Sequence, residues 1–172
     1  MLPSTSLLMA SLGAITIREA TLRDVGAVLE CLRAAFAPYE HHYTKTALQD
    51  TILTPESYPR RLKEMTVFLA LNNSGSAVGT IACSVIDKSE GHLRGMAVLP
   101  ECQASGIADQ LLKHAENELA KQNCTHVTLD TTESLQRAMR FYERRGYRRS
   151  GKIGDFFGMP LIEYVKDLKA NG

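Results

Sequence analysis

The feature that most constrains the fold of this chain is a strand-like run that passes through a short turn into a long amphipathic helix. The apolar run at 93–99 ends at Pro100, and the run at 107–121 repeats apolar side chains at helical spacing. Backbone N–H groups in the first turn of a helix lack partners and carry the positive end of the helix dipole. The small-residue turn at 103–108 is therefore a candidate phosphate-binding site, although a glycine at such a junction is more often only a turn residue.

Length and composition favour one ordinary globular domain. The chain has 172 residues, of which 44% are hydrophobic and 23% are charged, and its formal net charge is +1. This charge balance argues against general nucleic-acid binding, and the length suffices to bury a core without metals or disulfides. We expect a flexible N-terminal extension over 1–13, followed by a single domain over 14–172.

The cysteines and the apolar runs bear on metal binding and location. The four cysteines are widely spaced, form no Cys-x-x-Cys pair and accompany no histidine cluster, so we expect free thiols and no bound metal. The apolar stretch near the N-terminus is too short for a signal peptide or a membrane span and lacks a basic leading segment. The resulting expectation is a cytoplasmic protein with no membrane partner.

Periodicity along the chain predicts alternating strands and helices. Strand patterns lie at 14–18, 66–71, 77–86, 92–99, 126–130, 147–153 and 161–168, and helical patterns lie at 21–36, 107–121 and 135–145. Prolines between 39 and 61 limit any helix there to short pieces. The pattern predicts a mixed α/β (α+β) domain whose largely antiparallel sheet is flanked by helices.

Gly95 interrupts an otherwise good strand, where a glycine costs stability. One interpretation is a bulge that leaves main-chain groups free to pair with an extended ligand. The other is a simple kink in an edge strand. The residues alone leave both interpretations open.

Three segments, in this order, resemble the GNAT superfamily of N-acetyltransferases. The sequences Arg-Gly-Met-Ala-Val-Leu-Pro at 94–100 and Gln-Ala-Ser-Gly-Ile-Ala at 103–108 resemble the family's acetyl-CoA motif, and the segment at 138–147 resembles its downstream helix. The resemblance covers roughly 14–168 and implies splayed central strands with the pantetheine arm of acetyl-CoA in the gap. The residues that it implies for acetyl-CoA binding are Met96, Ala97, Val98, Gln103, Ser105, Gly106, Ile107 and Ala108.

Two residues are implied as catalytic by the same resemblance. Tyr142 aligns with the tyrosine that protonates or orients the departing CoA thiolate, although its helical spacing from Ala138 is equally that of a core residue. His92 aligns with a strand position where many family members place the general base, and an imidazole suits proton removal at neutral pH. A solvated or structural histidine is the alternative, and Glu90 is a weaker substitute for the base.

Leu135 departs from the family pattern. At this position, the start of the helix, the family often has an asparagine that contacts the pantetheine arm. Thr132 or Ser134 is a candidate to supply that contact instead, and otherwise the contact is absent.

The resemblance implies an N-acetyltransferase that transfers the acetyl group of acetyl-CoA directly to an amine in a ternary complex. The alternative is an acyl-CoA-binding or regulatory module of the same fold without turnover. The sequence does not select between small-molecule and peptide amines, or between acetyl and other acyl groups. The final strands in this fold class often pair between subunits, so a homodimer is a further expectation.

Overall fold

A computed structural model of the chain describes residues 13–169, and the predicted extension lies outside this range except for Gly13. The strands are β1 Thr16–Glu19, β2 Thr66–Leu71, β3 Ala77–Val85, β4 Glu90–Val98, β5 His126–Thr131, β6 Arg148–Phe156 and β7 Met159–Asp167. The helices are α1 Val25–Phe36, α2 Lys45–Ile52, α3 Tyr58–Glu64, α4 Ile107–Lys121 and α5 Gln136–Arg144. The predicted mixed α/β class is confirmed.

The strands form one sheet in the order β1-β2-β3-β4-β5-β7-β6, and within it β4 and β5 are the parallel pair. Their connection runs through α4, because parallel neighbours need a crossover rather than a tight turn. Pairing between them extends from Glu90 opposite His126 to Leu93 opposite Leu129, and stops there. The two strands therefore share a ladder at one end and separate at the other.

A bulge in β4 begins where this ladder ends. Thr80 of β3 pairs with Ala97, but Ala82 pairs with Arg94, so two β4 residues stand opposite the single residue between them. One of the two is Gly95, whose φ of +64° lies in the left-handed region that favours glycine. Because β4 lies in the middle of the sheet, the interpretation of Gly95 as an edge-strand kink is wrong. The bulge itself is confirmed, and the pairing of its main chain with a ligand stays a prediction.

Helices cover the sheet on both faces and form two apolar clusters. The stripe predicted on α4 is buried, and the same cluster takes Met139 and Tyr142 from α5 and Leu93 from β4. On the opposite face, α1 packs through Val28, Leu29, Cys31 and Leu32. The sheet is thus held between two helical layers, and the gap between β4 and β5 opens inside this sandwich.

Strand β6 is longer than the sequence pattern predicts. Its pairing with β7 continues to Phe156 opposite Met159, beyond the predicted end at residue 153. Phe157 and Gly158 both have positive φ and close a two-residue turn, which lets the hairpin extend to its tip. Strand β6 is an outer strand of the sheet and almost wholly exposed, so pairing between subunits stays a prediction.

Candidate functional site

A cavity of about 560 Å³ lies where β4 and β5 separate. Its walls come from β4 beyond the bulge, from the start of α4 and from one face of α5. Six of the eight residues expected to bind acetyl-CoA line it, namely Met96, Ala97, Val98, Gln103, Gly106 and Ala108. Ser105 and Ile107 do not line it.

The start of α4 leaves hydrogen-bond donors free beside this cavity. The backbone N–H groups of Ile107, Ala108 and Asp109 have no acceptor within residues 13–169. Gly106, at the N-cap, has a φ of +87°, and a Cβ added there would meet no atom within 4 Å. The Ile107 side chain is buried in the core, so only its backbone is available to a ligand. This is the geometry of an anion-binding helix N-terminus.

The side chain of Gln103 links two walls of the cavity. Its amide nitrogen donates to the carbonyl oxygen of Val98 at 3.3 Å, and its amide oxygen accepts from Nη1 of Arg137 at 2.9 Å. Arg144 and Arg145 line the same cavity, so three guanidinium groups from α5 and its end face it. Sequence reasoning missed Arg137, although its spacing of seven residues from Arg144 places the two on one face of the helix.

Tyr142 projects from α5 into this cavity while packing against aromatic neighbours. Its ring lies 5.3 Å from that of Phe141 and 5.6 Å from that of Tyr147, measured between centroids. Burial raises the pKa of Tyr142 above its usual value, so the phenol stays protonated at neutral pH. Its hydroxyl has no hydrogen-bond partner among the residues that the structure describes. The residue is thus a packing residue that also presents a free donor.

A second cavity, of about 520 Å³, adjoins the first. The two share a wall at the point where β4 and β5 part, made of Phe36, Leu93, Arg94, Gly95, Asp130, Thr131 and Leu135. His92 lines only the second cavity, whereas Tyr142 lines only the first. The two expected catalytic residues therefore approach the splayed strands from different cavities.

His92 forms a network with two residues of β5. Its Nδ1 lies 2.9 Å from Oγ1 of Thr128, and that hydroxyl can donate to the carbonyl oxygen of Gly91 at 3.4 Å. If the Thr128 hydroxyl donates to the carbonyl, Nδ1 must carry the hydrogen that reaches Thr128, and Nε2 keeps its lone pair. Nε2 lies 3.7 Å from Oδ2 of Asp130. Two proton acceptors then face each other across a gap.

Burial shifts the pKa values of His92 and Asp130 in opposite directions, and each shift favours the uncharged form of its group. Desolvation lowers the pKa of His92, and the Asp130 carboxylate opposes that shift. Desolvation likewise raises the pKa of Asp130, and the nearby imidazole opposes it. Sequence reasoning missed Asp130. Strand alternation places Asp130 on the same face as Thr128, but only the pairing of Thr128 with His92 brings that face to the imidazole.

Three charged side chains lie around the bulge next to this pair. Arg94 forms an ion pair with Asp50 of α2. Arg61 of α3 is only 6% exposed, and its Nη1 is 3.4 Å from the point where a Cβ on Gly95 would lie. Burial and the Arg94 charge lower the pKa of Arg61 to about 10. Neither arginine was singled out from the sequence.

Thr131 carries an unpaired buried hydroxyl at the junction of the cavities. Its side-chain oxygen is the one buried side-chain polar atom without a hydrogen-bond partner in the described part of the chain. Thr132 and Ser134, the two candidates for the contact that the family's asparagine makes, are not unpaired in this way. Their hydroxyl groups hydrogen-bond each other at 3.0 Å. An unpaired buried hydroxyl costs free energy, and a partner supplied by a ligand is a prediction for this position.

Other residues considered from the sequence lie away from both cavities. Glu90 pairs with His126 at 3.3 Å, and neither residue lines a cavity. Within residues 13–169, no three His, Cys, Asp or Glu side chains cluster as metal ligands would, and no helix is long and apolar enough to span a membrane.

Separated parallel strands, a bulge in the first of them and a free helix N-terminus define this molecule as an α/β protein of the acyltransferase fold class. The chain belongs to the acetyltransferase (GNAT) family, whose family model matches residues 27–147. The recognition made from the three motifs is thereby confirmed.

Individual relatives agree with the family match. An uncharacterized N-acetyltransferase of Methanocaldococcus jannaschii is 33% identical over 135 residues, which cover 77% of each chain. A GNAT acetyltransferase of Staphylococcus aureus shares the fold with a TM-score of 0.73 at 22% identity, covering 91% of this chain and all of that one. The PaiA N-acetyltransferase of Thermoplasma acidophilum, solved with coenzyme A, gives a TM-score of 0.73 at 19% identity, covering 90% and 99%.

Proposed function

We propose that this protein transfers the acetyl group of acetyl-CoA directly to a primary amine while both substrates are bound. The observation that carries the proposal is the meeting of the two cavities at the splayed strands, with Tyr142 on one side and the His92–Asp130 pair on the other. A donor and an acceptor that enter from separate cavities can meet there without a covalent enzyme intermediate.

The first cavity suits acetyl-CoA, which supplies an activated acetyl group as its thioester. The free N–H groups at the start of α4 suit the pyrophosphate, and the guanidinium groups of α5 add positive charge. The bulged backbone around Met96 and Val98 suits the amides of the pantetheine arm. A structural relative solved with coenzyme A supports this choice of ligand for the cavity.

The His92–Asp130 pair serves as the base in this proposal. An amine acceptor is mostly ammonium at neutral pH and must lose a proton before it attacks the thioester carbon. Because burial keeps His92 neutral, its Nε2 can take that proton, and the Asp130 carboxylate stabilises the resulting imidazolium. The neutral amine then forms the new C–N bond.

Tyr142 is the hydrogen-bond donor to the departing CoA sulfur in this proposal. As the C–S bond breaks, the CoA sulfur gains negative charge. The Tyr142 phenol, protonated because burial raises its pKa, donates a hydrogen bond to that sulfur, which leaves as the thiol once it takes up the second proton of the amine nitrogen. Its role as packing residue is compatible with this, because the ring packs while the hydroxyl stays free.

A thiol-release assay with acetyl-CoA and a panel of amines tests the proposal. Release that depends on both acetyl-CoA and an amine, with acetylated amine found by mass spectrometry, is the expected result. Stabilisation of the protein by coenzyme A in a thermal shift, with no thiol released by any amine, would instead indicate a binding module without turnover.

A further inference from the structure

The second cavity has an apolar wall that the proposed chemistry does not use. The wall is formed by Met65, Val85, Ile86, Phe156 and Leu161, in addition to Phe36, Leu93 and Leu135, which both cavities share. Val85 is 40% exposed and Ile86 is 55% exposed. Exposed hydrophobic side chains that converge on a cavity are typical of a binding surface, whereas single ones scattered over the surface need no explanation.

This wall begins close to the base. Ser84 pairs with His92 across the β3–β4 ladder, and Ile86, two residues further along the chain, lies on the same face by strand alternation. On the other side of the cavity, the Phe156 ring lies 5.8 Å from the Arg94 guanidinium carbon. An amine at His92 would therefore have its nearest substituent against hydrophobic side chains rather than against water.

The charges of the second cavity match a single cation. Of its two lining carboxylates, Glu64 is paired with Arg60 at 3.1 Å, and the lining arginine Arg94 is paired with Asp50. Asp130 is left as the one lining carboxylate without a lysine or arginine partner in the part of the chain that the structure describes. One uncompensated negative charge suits one ammonium group, and a second would have no counter-charge.

The charges just outside the lining add no further carboxylate to the cavity wall. Arg61 lies behind Gly95, the charge of Glu163 acts on both His92 and Asp130, and Glu90, which acts on His92, is placed against His126 at 3.3 Å. None of these three groups lines the cavity. A polyamine or aminoglycoside would therefore bring additional ammonium groups against a wall whose carboxylates are already matched.

Resting on the proposed function, we infer that the acceptor is a primary amine with one positive charge and an apolar substituent. A branched aliphatic or arylalkyl amine has this chemistry, and so does a peptide N-terminus whose first side chain is apolar. The shared requirement is one ammonium group at His92 and Asp130 with a hydrophobic group against the Val85–Ile86 wall.

Matched acceptors test the inference with the full-length enzyme at saturating acetyl-CoA. Isoamylamine is compared with putrescine, and a leucine-first peptide with a lysine-first peptide of otherwise identical sequence. We expect kcat/KM to favour the apolar member of each pair by roughly tenfold or more, because an added charge in the cavity would be unpaired. The pair with the larger kcat/KM shows whether free amines or peptides are the better source of this chemistry.

Two surface variants test the apolar wall itself. Ile86→Ser should raise the KM for isoamylamine roughly threefold to tenfold, with the KM for acetyl-CoA unchanged, because it removes apolar contact area from the acceptor alone. Leu22→Ser is the control, since Leu22 is 63% exposed but lines neither cavity. Equal kinetics of the two variants, or a preference for putrescine and the lysine-first peptide, would overturn the inference and leave the proposed function intact. Absence of thiol release with every amine would overturn both.

Discussion

Nε2 of His92 lies 3.7 Å from Oδ2 of Asp130, and no hydrogen bond joins the two atoms. The other ring nitrogen of His92 is held by Thr128 at 2.9 Å. The imidazole is thus oriented by one strand neighbour while its free nitrogen faces a carboxylate across a gap. A proton delivered between them by an ammonium group would be attracted by both, which is why this pair and not His92 alone is the proposed base.

The pair predicts how the pH dependence of kcat/KM responds to substitution. Because desolvation lowers the pKa of His92, activity should fall as pH decreases through a value below the usual one for histidine. The Asp130 charge opposes this lowering, so Asp130→Asn should reduce kcat/KM and also move the acidic limb to lower pH. Steady-state pH profiles of the wild-type and variant enzymes measure both effects.

His92→Gln separates the two members of the pair. It removes the imidazole titration, so we expect kcat to fall by about 10²-fold or more and any remaining acidic limb to belong to Asp130. The acceptor's own ammonium titrates alike in all variants, so differences between profiles report the pair. An unchanged profile in His92→Gln would exclude His92 as the base.

Tyr142→Phe should lower kcat with little change in acetyl-CoA binding. The substitution keeps the ring that packs against Phe141 and Tyr147 but removes the donor to the departing sulfur. We expect a decrease of about tenfold to a hundredfold, measured by thiol release, with binding checked by calorimetry.

Tyr147→Phe is the matched control for this loss of a hydroxyl. The Tyr147 hydroxyl donates to Glu116 at 2.7 Å, and the residue lines neither cavity. Tyr147→Phe should lower the free energy of unfolding by about 1 kcal/mol and leave kcat unchanged. If both variants lost kcat equally, the effect would come from disturbed packing of the helix, and Tyr142 would have no role at the sulfur.

The sequence predicted more of the first cavity than of the second, for a physical reason. The turn at 103–108 and helix α4 are local, so spacing and small residues suffice to place free N–H groups at a helix start. The second cavity instead depends on contacts between residues that are distant along the chain, such as Asp50 with Arg94 and Thr128 with His92. Such contacts depend on strand register and helix packing, which periodicity alone does not fix.

The position of Asp130 illustrates this limit. The strand pattern places Asp130 on the same face of β5 as Thr128. That this face lies next to His92 follows only from the parallel pairing of β5 with β4. The same holds for Gly95, whose bulge interpretation required a central position for its strand. Both ambiguities disappear once the strand order is known.

Thr131→Val should stabilise the ligand-free protein and weaken ligand binding. Valine keeps the shape of threonine but removes the buried hydroxyl that lacks a partner. We expect a gain of about 1 kcal/mol, or roughly 2–4 °C in Tm, together with a smaller thermal shift on adding acetyl-CoA. Thermal unfolding with and without acetyl-CoA measures both effects.

Thr128→Val provides the comparison for that prediction. Its hydroxyl bonds Nδ1 of His92 at 2.9 Å, so the same chemical change should lower Tm instead of raising it. A loss of stability in Thr131→Val would mean that the Thr131 hydroxyl already has a partner in the free protein. The predicted contact between this hydroxyl and a ligand would then be wrong.

Gly106→Ala tests the start of α4 as the site that receives the pyrophosphate of acetyl-CoA. With a φ of +87°, alanine is strained at this position, and its methyl group would project into open space next to the free N–H groups. Gly75→Ala carries the same kind of strain, because Gly75 has a φ of +79° and no atom within 4 Å of an added Cβ, but it lies in the β2–β3 turn away from both cavities.

We expect each variant to lose about 1 kcal/mol of stability, measured by urea denaturation, from the backbone conformation alone. Only Gly106→Ala should raise the Kd for acetyl-CoA, by roughly tenfold, because a methyl group there keeps a phosphate away from the backbone donors. Equal acetyl-CoA affinities in the two variants would show that the pyrophosphate binds elsewhere.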